Sequence, residues 1–178
     1  MKNIIIFFLS IFVFVASDPA VHAQQKVFQK IGPVNNHLTS ILGIIQDEQG
    51  YIWLTATDVE HGQGLFRYDG TEFIFYSPDT TNSPGLPIGP LCSGSSGMIW
   101  LSKKDMGLYR FNPITRSFTH FQHSSKDPAS LANDTIGIGG LLEDHEGNLW
   151  IGTLDGLHLL RPNTENFIHF KYRPRDAP

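Results

Sequence analysis

The sequence has 178 residues, of which 40% are hydrophobic and 17% are charged, with 17 Gly and 11 Pro. This composition excludes a disordered chain and favours a globular protein rich in β structure. The net charge of −4, without a basic cluster, argues against a nucleic acid partner. The single cysteine, Cys92, cannot form an internal disulfide, so stability must come from packing.

The first 23 residues have the pattern of a secretory signal peptide. A short basic start precedes an apolar run from Ile4 to Ala16, and Val21-His22-Ala23 forms a small-x-small cleavage site. As a helix the run would cover about 20 Å, less than the ~30 Å core of a bilayer. We therefore expect cleavage after Ala23 and a periplasmic mature chain; the alternative is an uncleaved N-terminal anchor. No later segment is long and apolar enough to span a membrane.

A pattern of about four extended segments then occurs three times along the chain. Each copy has a Gly three residues before a Trp, a Gly-Leu pair after it, and a closing run that begins with Phe. Successive Trp residues lie 47 and then 50 positions apart, and the copies span about 39–76, 86–121 and 135–170. The structural repeat positions are Trp53, Trp100, Trp150, Gly50, Gly97, Gly147, Asp47, Asp144, Gly64, Gly107 and Gly156.

These copies read as short strands joined by tight turns, because Gly, Asn and Asp reach the positive φ values that such turns require. Four strands per copy are the content of one propeller blade. Around each Trp both faces of the strand are apolar, which suits a sheet covered on both sides. The sequence therefore predicts an all-β fold, an incomplete β-propeller of about three four-stranded antiparallel blades within residues 24–178.

The turn before each Trp contains a residue whose role can be predicted. Asp47 and Asp144 are expected to accept hydrogen bonds from turn amides, as Asp does in Asx-turns. We place Ser93 at the corresponding position of the second copy, which makes the contact replaceable.

Two segments, the connection at residues 77–89 and an insertion at 58–63, are candidates for ligand contact. Residues 77–89 and 122–134 are rich in Ser, Pro, Asp and Asn and are predicted to connect blades. The first copy also carries an insertion at 58–63, and extra length in one blade often maps to a loop on a binding face. Asp58, Glu60 and His61 are therefore candidate ligand-facing residues; the alternative is a surface insertion without a binding role.

The run from Glu143 to Leu157, with Gly147-Asn148-Leu149-Trp150 at its centre, resembles the two-component regulator propeller repeat, as does the segment 127–134. In that family such repeats build the extracytoplasmic sensors of hybrid histidine kinases, many of which are thought to detect glycan fragments. The resemblance covers residues 39–170 and implies a ligand-sensing propeller with no signalling output of its own.

The number of copies also bears on the resemblance. Closed propellers have four to eight blades, so three copies imply the N-terminal part of a sensor. Further blades or a homo-oligomer partner would then cover the open blade faces.

Metal and catalytic chemistry receive little support from the sequence. There are eight His residues, but His120 and His169 occupy the same repeat position, and no His-x-x-x-His or Cys-x-x-Cys spacing occurs. The Asp turns lack the further oxygen ligands of a calcium loop, and nothing selects a carboxylate pair for glycoside hydrolysis. We therefore expect no catalytic, metal or cofactor site.

The predicted function is a non-enzymatic sensor whose partner is an oligosaccharide or another small ligand. The alternatives are a structural or protein-interaction propeller, and an extracytoplasmic glycosidase or lyase.

Overall fold

A computed structural model describes residues 38–78 and 88–170, and every regular element within these ranges is a β-strand. The predicted signal peptide, and residues 79–87 of the first connecting segment, lie outside the described residues. The strands are β1 Leu38–Gln46, β2 Ile52–Asp58, β3 Gly62–Tyr68, β4 Phe73–Tyr76, β5 Ile88–Ser93, β6 Ile99–Lys103, β7 Gly107–Asn112, β8 Ser117–Phe121, β9 Ile136–Glu143, β10 Leu149–Thr153, β11 Gly156–Leu160 and β12 Phe167–Phe170.

The strands form three antiparallel sheets in which each strand pairs with the next one along the chain. Blade 1 contains β1–β4, blade 2 contains β5–β8 and blade 3 contains β9–β12. The predicted fold class, an incomplete propeller of three four-stranded antiparallel blades, is therefore confirmed. Across the described residues, no helix is long and apolar enough to cross a bilayer.

The same tight turn joins the first two strands of every blade. Its glycines, Gly50, Gly97 and Gly147, have φ of 89°, 74° and 79°, values that residues with a side chain rarely adopt. In blade 3 the turn is closed by backbone hydrogen bonds from Asp144 N to Asn148 O (2.9 Å) and from Gly147 N to Asp144 O (3.0 Å). Blades 1 and 2 have equivalent pairs of bonds, so the recurring Gly fixes a recurring backbone geometry.

The blades pack face to face in chain order, and their first strands contact one another in the sequence β1, β5, β9. Apolar side chains from two blades form a core at each boundary. The core between blades 1 and 2 contains Trp53, Leu65, Tyr76, Ile88, Ile99, Leu101, Tyr109 and Phe111. The core between blades 2 and 3 contains Trp100, Leu108, Phe121, Leu131, Leu141, Leu149, Ile151, Leu160 and Phe167.

Blade 3 presents the corresponding face without a blade against it among the described residues. Cross-strand pairing places Leu142, Leu159 and Ile168 in one row with Trp150. Trp150 is half-buried and stacks on Phe170, with ring centroids 5.8 Å apart. Leu142 is 63% exposed. We call this apolar surface the open face of blade 3.

The second connecting segment, residues 122–134, is packed against the blades. Leu131 is fully buried in the core between blades 2 and 3, and His123 and Leu131 form an isolated β-bridge. Phe167 N donates to Ala129 O at 2.7 Å, which joins the segment to the outermost strand of blade 3.

The insertion at 58–63 lengthens a hairpin and does not form a six-residue loop. Thr57 pairs with Gln63 and Asp58 with Gly62, so β2 and β3 continue into the inserted residues. Only residues 59–61 make the turn. The extra residues extend both strands by matched cross-strand pairs, which satisfies backbone groups that a loop would leave to solvent.

Candidate functional site

Two grooves open between neighbouring blades at the same edge of the molecule. Because successive strands run in opposite directions, the turn after the first strand of a blade lies at the same edge as the turn after its third strand. Residues from these two kinds of turn line both grooves.

Groove 1, between blades 1 and 2, has a volume of about 530 Å³. Tyr51 and Arg67 line it from blade 1, and Met98 and Ile114 line it from blade 2. The Arg67 guanidinium lies over the Tyr51 ring at 4.4 Å from its centroid, which fixes the cation by an attraction to the ring face.

Groove 2, between blades 2 and 3, has a volume of about 270 Å³. Arg110 lines it from blade 2, and Glu146, Arg161 and Asn163 line it from blade 3. The Arg110 guanidinium lies over two rings, 5.6 Å from the centroid of Trp100 and 5.4 Å from that of Phe121.

Arg67 and Arg110 occupy the same place in the repeat, because each is the cross-strand partner of the Trp of its blade. Blade 3 has Leu159 at this position. Sequence reasoning missed this pair of cations. The two arginines stand 14 and 10 residues after their Trp, and the inserted hairpin hides the equivalence until the register is known.

In blades 1 and 3 an Asp carboxylate closes the turn that borders the grooves. Asp47 Oδ1 accepts from Gln49 N (3.0 Å) and Tyr51 N (2.9 Å), while Oδ2 accepts from Trp53 Nε1 at 2.7 Å. The predicted role of the turn aspartates as hydrogen-bond acceptors from backbone amides is thus observed, with the indole as an additional donor.

Asp144 repeats this arrangement around Trp150, whose Nε1 donates to Asp144 Oδ2 at 2.8 Å. That bond, together with those from Asn148 and Glu146, lowers the pKa of Asp144 to about 2, against the opposing effect of desolvation. The carboxylate is therefore charged and committed to the turn.

Blade 2 departs from this arrangement, and the placement of Ser93 at the aspartate position is wrong. Gly94 N donates to Met98 O at 2.8 Å and Gly97 N to Gly94 O at 2.9 Å, which are the bonds that Asp47 and Asp144 make in their turns. Gly94 is therefore the equivalent residue, and it has no carboxylate. The buried Trp100 Nε1 has no hydrogen-bond partner in the part of the chain that the structure describes.

A carboxylate from the next blade enters the turn of blade 2. Glu143 Oε1 accepts from Ser95 N and from Ser95 Oγ, both at 2.6 Å. A Cβ at Gly94 would lie 2.7 Å from Glu143 Oε2 and 3.2 Å from Trp100 Nε1. Glu143, the last residue of β9, thus places its charge in the space where a side chain of residue 94 would lie.

The candidate ligand-facing residues of the hairpin lie at the opposite edge from the two grooves. Asp58 is buried, and its Oδ1 accepts from Glu60 N (2.9 Å), His61 N (2.8 Å) and His61 Nδ1 (2.8 Å). Desolvation by burial raises the pKa of Asp58, but these bonds outweigh it and lower the pKa below its ordinary value. The His61 ring packs against Phe75 at 5.0 Å. The Asp58 carboxylate and the amides of Glu60 and His61 thus form hydrogen bonds within the hairpin.

The His pair of blade 3 is part of a structural network. His158 Nδ1 lies 2.7 Å from His169 Nδ1, and His169 Nε2 lies 3.0 Å from Pro128 O. His120 occupies the position of His169 in blade 2 and stacks on Tyr109 at 4.1 Å. Among the described residues no group of three or more His, Cys, Asp and Glu is placed to hold a metal ion.

Cys92 is free and half-buried next to Trp100 in the strand register. Desolvation raises the pKa of its thiol, and the Glu143 charge also raises it, against a hydrogen bond with the Glu143 backbone that lowers it. Such a thiol is a poor nucleophile because it stays protonated.

A family model described as "Two component regulator propeller" matches residues 130–155. No curated protein sequence matches the chain significantly. The extracellular domain of BT3049, described as a hybrid two component system of B. thetaiotaomicron, is 27% identical over 79% of this chain, with a TM-score of 0.61. This chain covers 19% of that domain, so it spans about a fifth of the length of the protein it matches.

Two further structures are less than 25% identical to this chain, and their similarity supports the fold and nothing more. The extracellular domain of BT4673, described as a one component system of B. thetaiotaomicron, is 22% identical (TM-score 0.55; 73% of this chain, 18% of that chain). An inactive variant of virginiamycin B lyase from Staphylococcus aureus with quinupristin is 18% identical (TM-score 0.55; 78% of this chain, 42% of that chain). The resemblance drawn from residues 143–157 is thus confirmed: the third repeat matches the two component regulator propeller model, and the fold is similar to that of the extracellular domain of a hybrid two component system.

Proposed function

We propose that this chain is the ligand-sensing part of an extracytoplasmic two-component regulator and that its ligands are glycans. The observation that carries the proposal is the regulator-propeller match at 130–155, supported by the 27% identity with the extracellular domain of BT3049. On this proposal the chain binds the ligand outside the cytoplasm, and the kinase output belongs to other parts of the receptor.

The grooves support a ligand of this chemistry. Each presents a guanidinium donor, acidic acceptors such as Glu48 and Glu146, and apolar surface from Met98 and neighbouring side chains. Sugars carry hydroxyl groups that donate and accept hydrogen bonds, next to apolar C–H faces. Binding sites for small molecules combine an apolar surface with a few well-placed polar groups in the same way.

Calorimetric titration of the purified chain with defined oligosaccharides tests the proposal. We expect saturable binding of at least one glycan class, and weaker binding when Arg110→Gln removes the guanidinium of groove 2. Lys104→Gln is the matched control, because Lys104 is exposed in the β6–β7 turn at the opposite edge. Absence of binding across series of neutral and acidic oligosaccharides would contradict the proposal.

We also propose a protein contact at the open face of blade 3, formed by a further propeller blade. The Trp53 and Trp100 faces are each covered by the next blade, whereas Leu142 and Phe170 are 63% and 47% exposed. Contiguous exposed apolar surface of this kind marks an interaction site.

Light scattering measures whether the open face of blade 3 mediates self-association of the chain. The isolated chain should self-associate with rising concentration, and Leu142→Lys should shift it towards the monomer. Val59→Lys is the control, since Val59 is 68% exposed but lies on the β2–β3 turn. A closed dimer of defined mass would identify a second copy as the partner, and a monomer at all concentrations would contradict the proposal.

A further inference from the structure

The two grooves share one wall, the turn of blade 2. Ser95, Ser96 and Met98 line both groove 1 and groove 2. A ligand in one groove would therefore lie directly beside the other groove, separated from it only by this turn.

The shared wall carries the smallest side chains of the three equivalent turns. Counting back from the turn glycine, blade 1 has Glu48-Gln49 and blade 3 has His145-Glu146, whereas blade 2 has Ser95-Ser96. Ser96 is exposed, as are Gln49 and Glu146 at the same position. The side chains of the blade 2 turn therefore project little between the two grooves, whereas a long side chain at this position would separate them.

The blade 2 turn is also held in place by hydrogen bonds. Ser95 is fixed by two bonds to the Glu143 carboxylate of blade 3, so that blade 3 supports the turn of blade 2 from the side. A positioned turn with a small outward side chain suits the middle of a binding surface, because little conformational freedom is lost when a ligand covers it.

We infer that grooves 1 and 2 form one extended binding surface for a linear oligosaccharide that crosses the turn of blade 2 at Ser96. This inference rests on the proposed glycan function and adds the place and the minimum length of the ligand. Packed sheets lie about 10 Å apart, so a ligand that contacts Arg67 and Arg110 together needs several linked sugar units. Arg67 is held over one aromatic ring and Arg110 over two, and the two arginines occupy equivalent places in their grooves.

The test compares short and long members of the same sugar series on two proteins. Xylobiose and xylohexaose, maltose and maltohexaose, and the di- and hexamers of galacturonic acid are titrated into the chain by calorimetry. For the series that binds, we expect the hexasaccharide to bind at least tenfold more tightly than the disaccharide. Ser96→Gln, which gives blade 2 the side chain of blade 1, should remove this gain, so that the hexasaccharide binds this variant no more tightly than the disaccharide does.

Lys104→Gln, at the opposite edge, should leave both affinities unchanged. Unfolding in urea checks that Ser96→Gln retains the stability of the parent chain, as expected for an exposed side chain. Equal affinities for short and long sugars, or an undiminished gain in Ser96→Gln, would overturn the extended surface while leaving the proposed glycan function intact. Failure of every saccharide to bind would overturn both.

Discussion

The turns of blades 1 and 3 differ from the turn of blade 2 in where the stabilising carboxylate comes from. In blades 1 and 3 it belongs to the turn itself, and it joins the turn amides to the indole of the following Trp. In blade 2 the equivalent residue is Gly94, and Glu143 enters the turn from the next blade. The backbone hydrogen bonds of the turn are the same in all three blades.

This difference separates what the turn requires from what stabilises it. The positive-φ glycine is present in every copy, because the backbone path depends on it. A carboxylate can also enter the turn from another strand, but Glu143 accepts only from Ser95, and the Trp100 indole has no acceptor among the described residues. Supply from blade 3 has a consequence for the assembly: the order of the blade 2 turn depends on blade 3 being in place.

The largest effect should come from the Trp residues themselves. Trp53 is 1% exposed between two blades, so Trp53→Ala should cost about 3–5 kcal/mol of unfolding free energy. Trp150→Ala should cost clearly less, because Trp150 is half-buried and its blade face is open. Urea unfolding of both variants measures the difference. Equal losses would show that the boundary between blades 1 and 2 does not bury the ring as described.

Glu143→Ala should have the next largest effect. It removes the acceptor of two hydrogen bonds from Ser95 and should cost about 1–2 kcal/mol, reduced from the value for buried charged bonds because Ser95 is exposed. The control is Glu146→Ala, which removes a neighbouring carboxylate that accepts from Asn148 within its own turn. Amide exchange should quicken at Ser95 in Glu143→Ala alone. Unchanged protection there would contradict the role of Glu143.

A third experiment rebuilds in blade 2 the arrangement of the other blades. Gly94→Asp alone should destabilise the chain, since its Cβ would lie 2.7 Å from Glu143 Oε2 and its charge would repel that carboxylate. Combined with Glu143→Ala, the same substitution should recover about 1 kcal/mol, because the introduced carboxylate could then accept from the buried Trp100 Nε1. A double-mutant cycle measures the coupling. Additive effects would show that residue 94 and Glu143 do not compete for one space.

The sequence predicted the blades because their signals are local. Turn glycines, alternating apolar strands and the recurring Trp need no tertiary information, and they placed three four-stranded sheets. The assignment of Ser93 failed although a signal existed: counting six residues back from each Trp gives Asp47, Gly94 and Asp144. The role of Glu143 has no such signal, because it depends on how closely two blades approach. Predicting the grooves likewise requires knowledge of the strand register, which pairs Arg67 and Arg110 with the Trp residues of their blades.

The smallest expected effect concerns pH and distinguishes a carboxylate within the turn from one supplied by another blade. The pKa of Asp144 falls from its ordinary value of 3.8 to about 2 in the folded chain, with the Trp150 indole as the main cause. A lowered folded pKa stabilises the chain above pH 3.8, and this contribution is lost as the pH falls from about 4 to about 2. Asp144→Asn cannot titrate, so its unfolding midpoint in urea should fall less steeply than that of the parent across this range.

The matched control is Asp155→Asn, which removes the same charge from an exposed turn of the same blade. Asp69, whose pKa is also lowered to about 2 by its bonds with Thr71 and Glu72, is present in parent and variants alike and cancels in the comparison. Parallel pH curves for the parent and Asp144→Asn would show that the bond between Asp144 and Trp150 adds no pH-dependent stability. A curve flattened only in Asp144→Asn would show that the blade 3 turn is stabilised by its own ionised carboxylate.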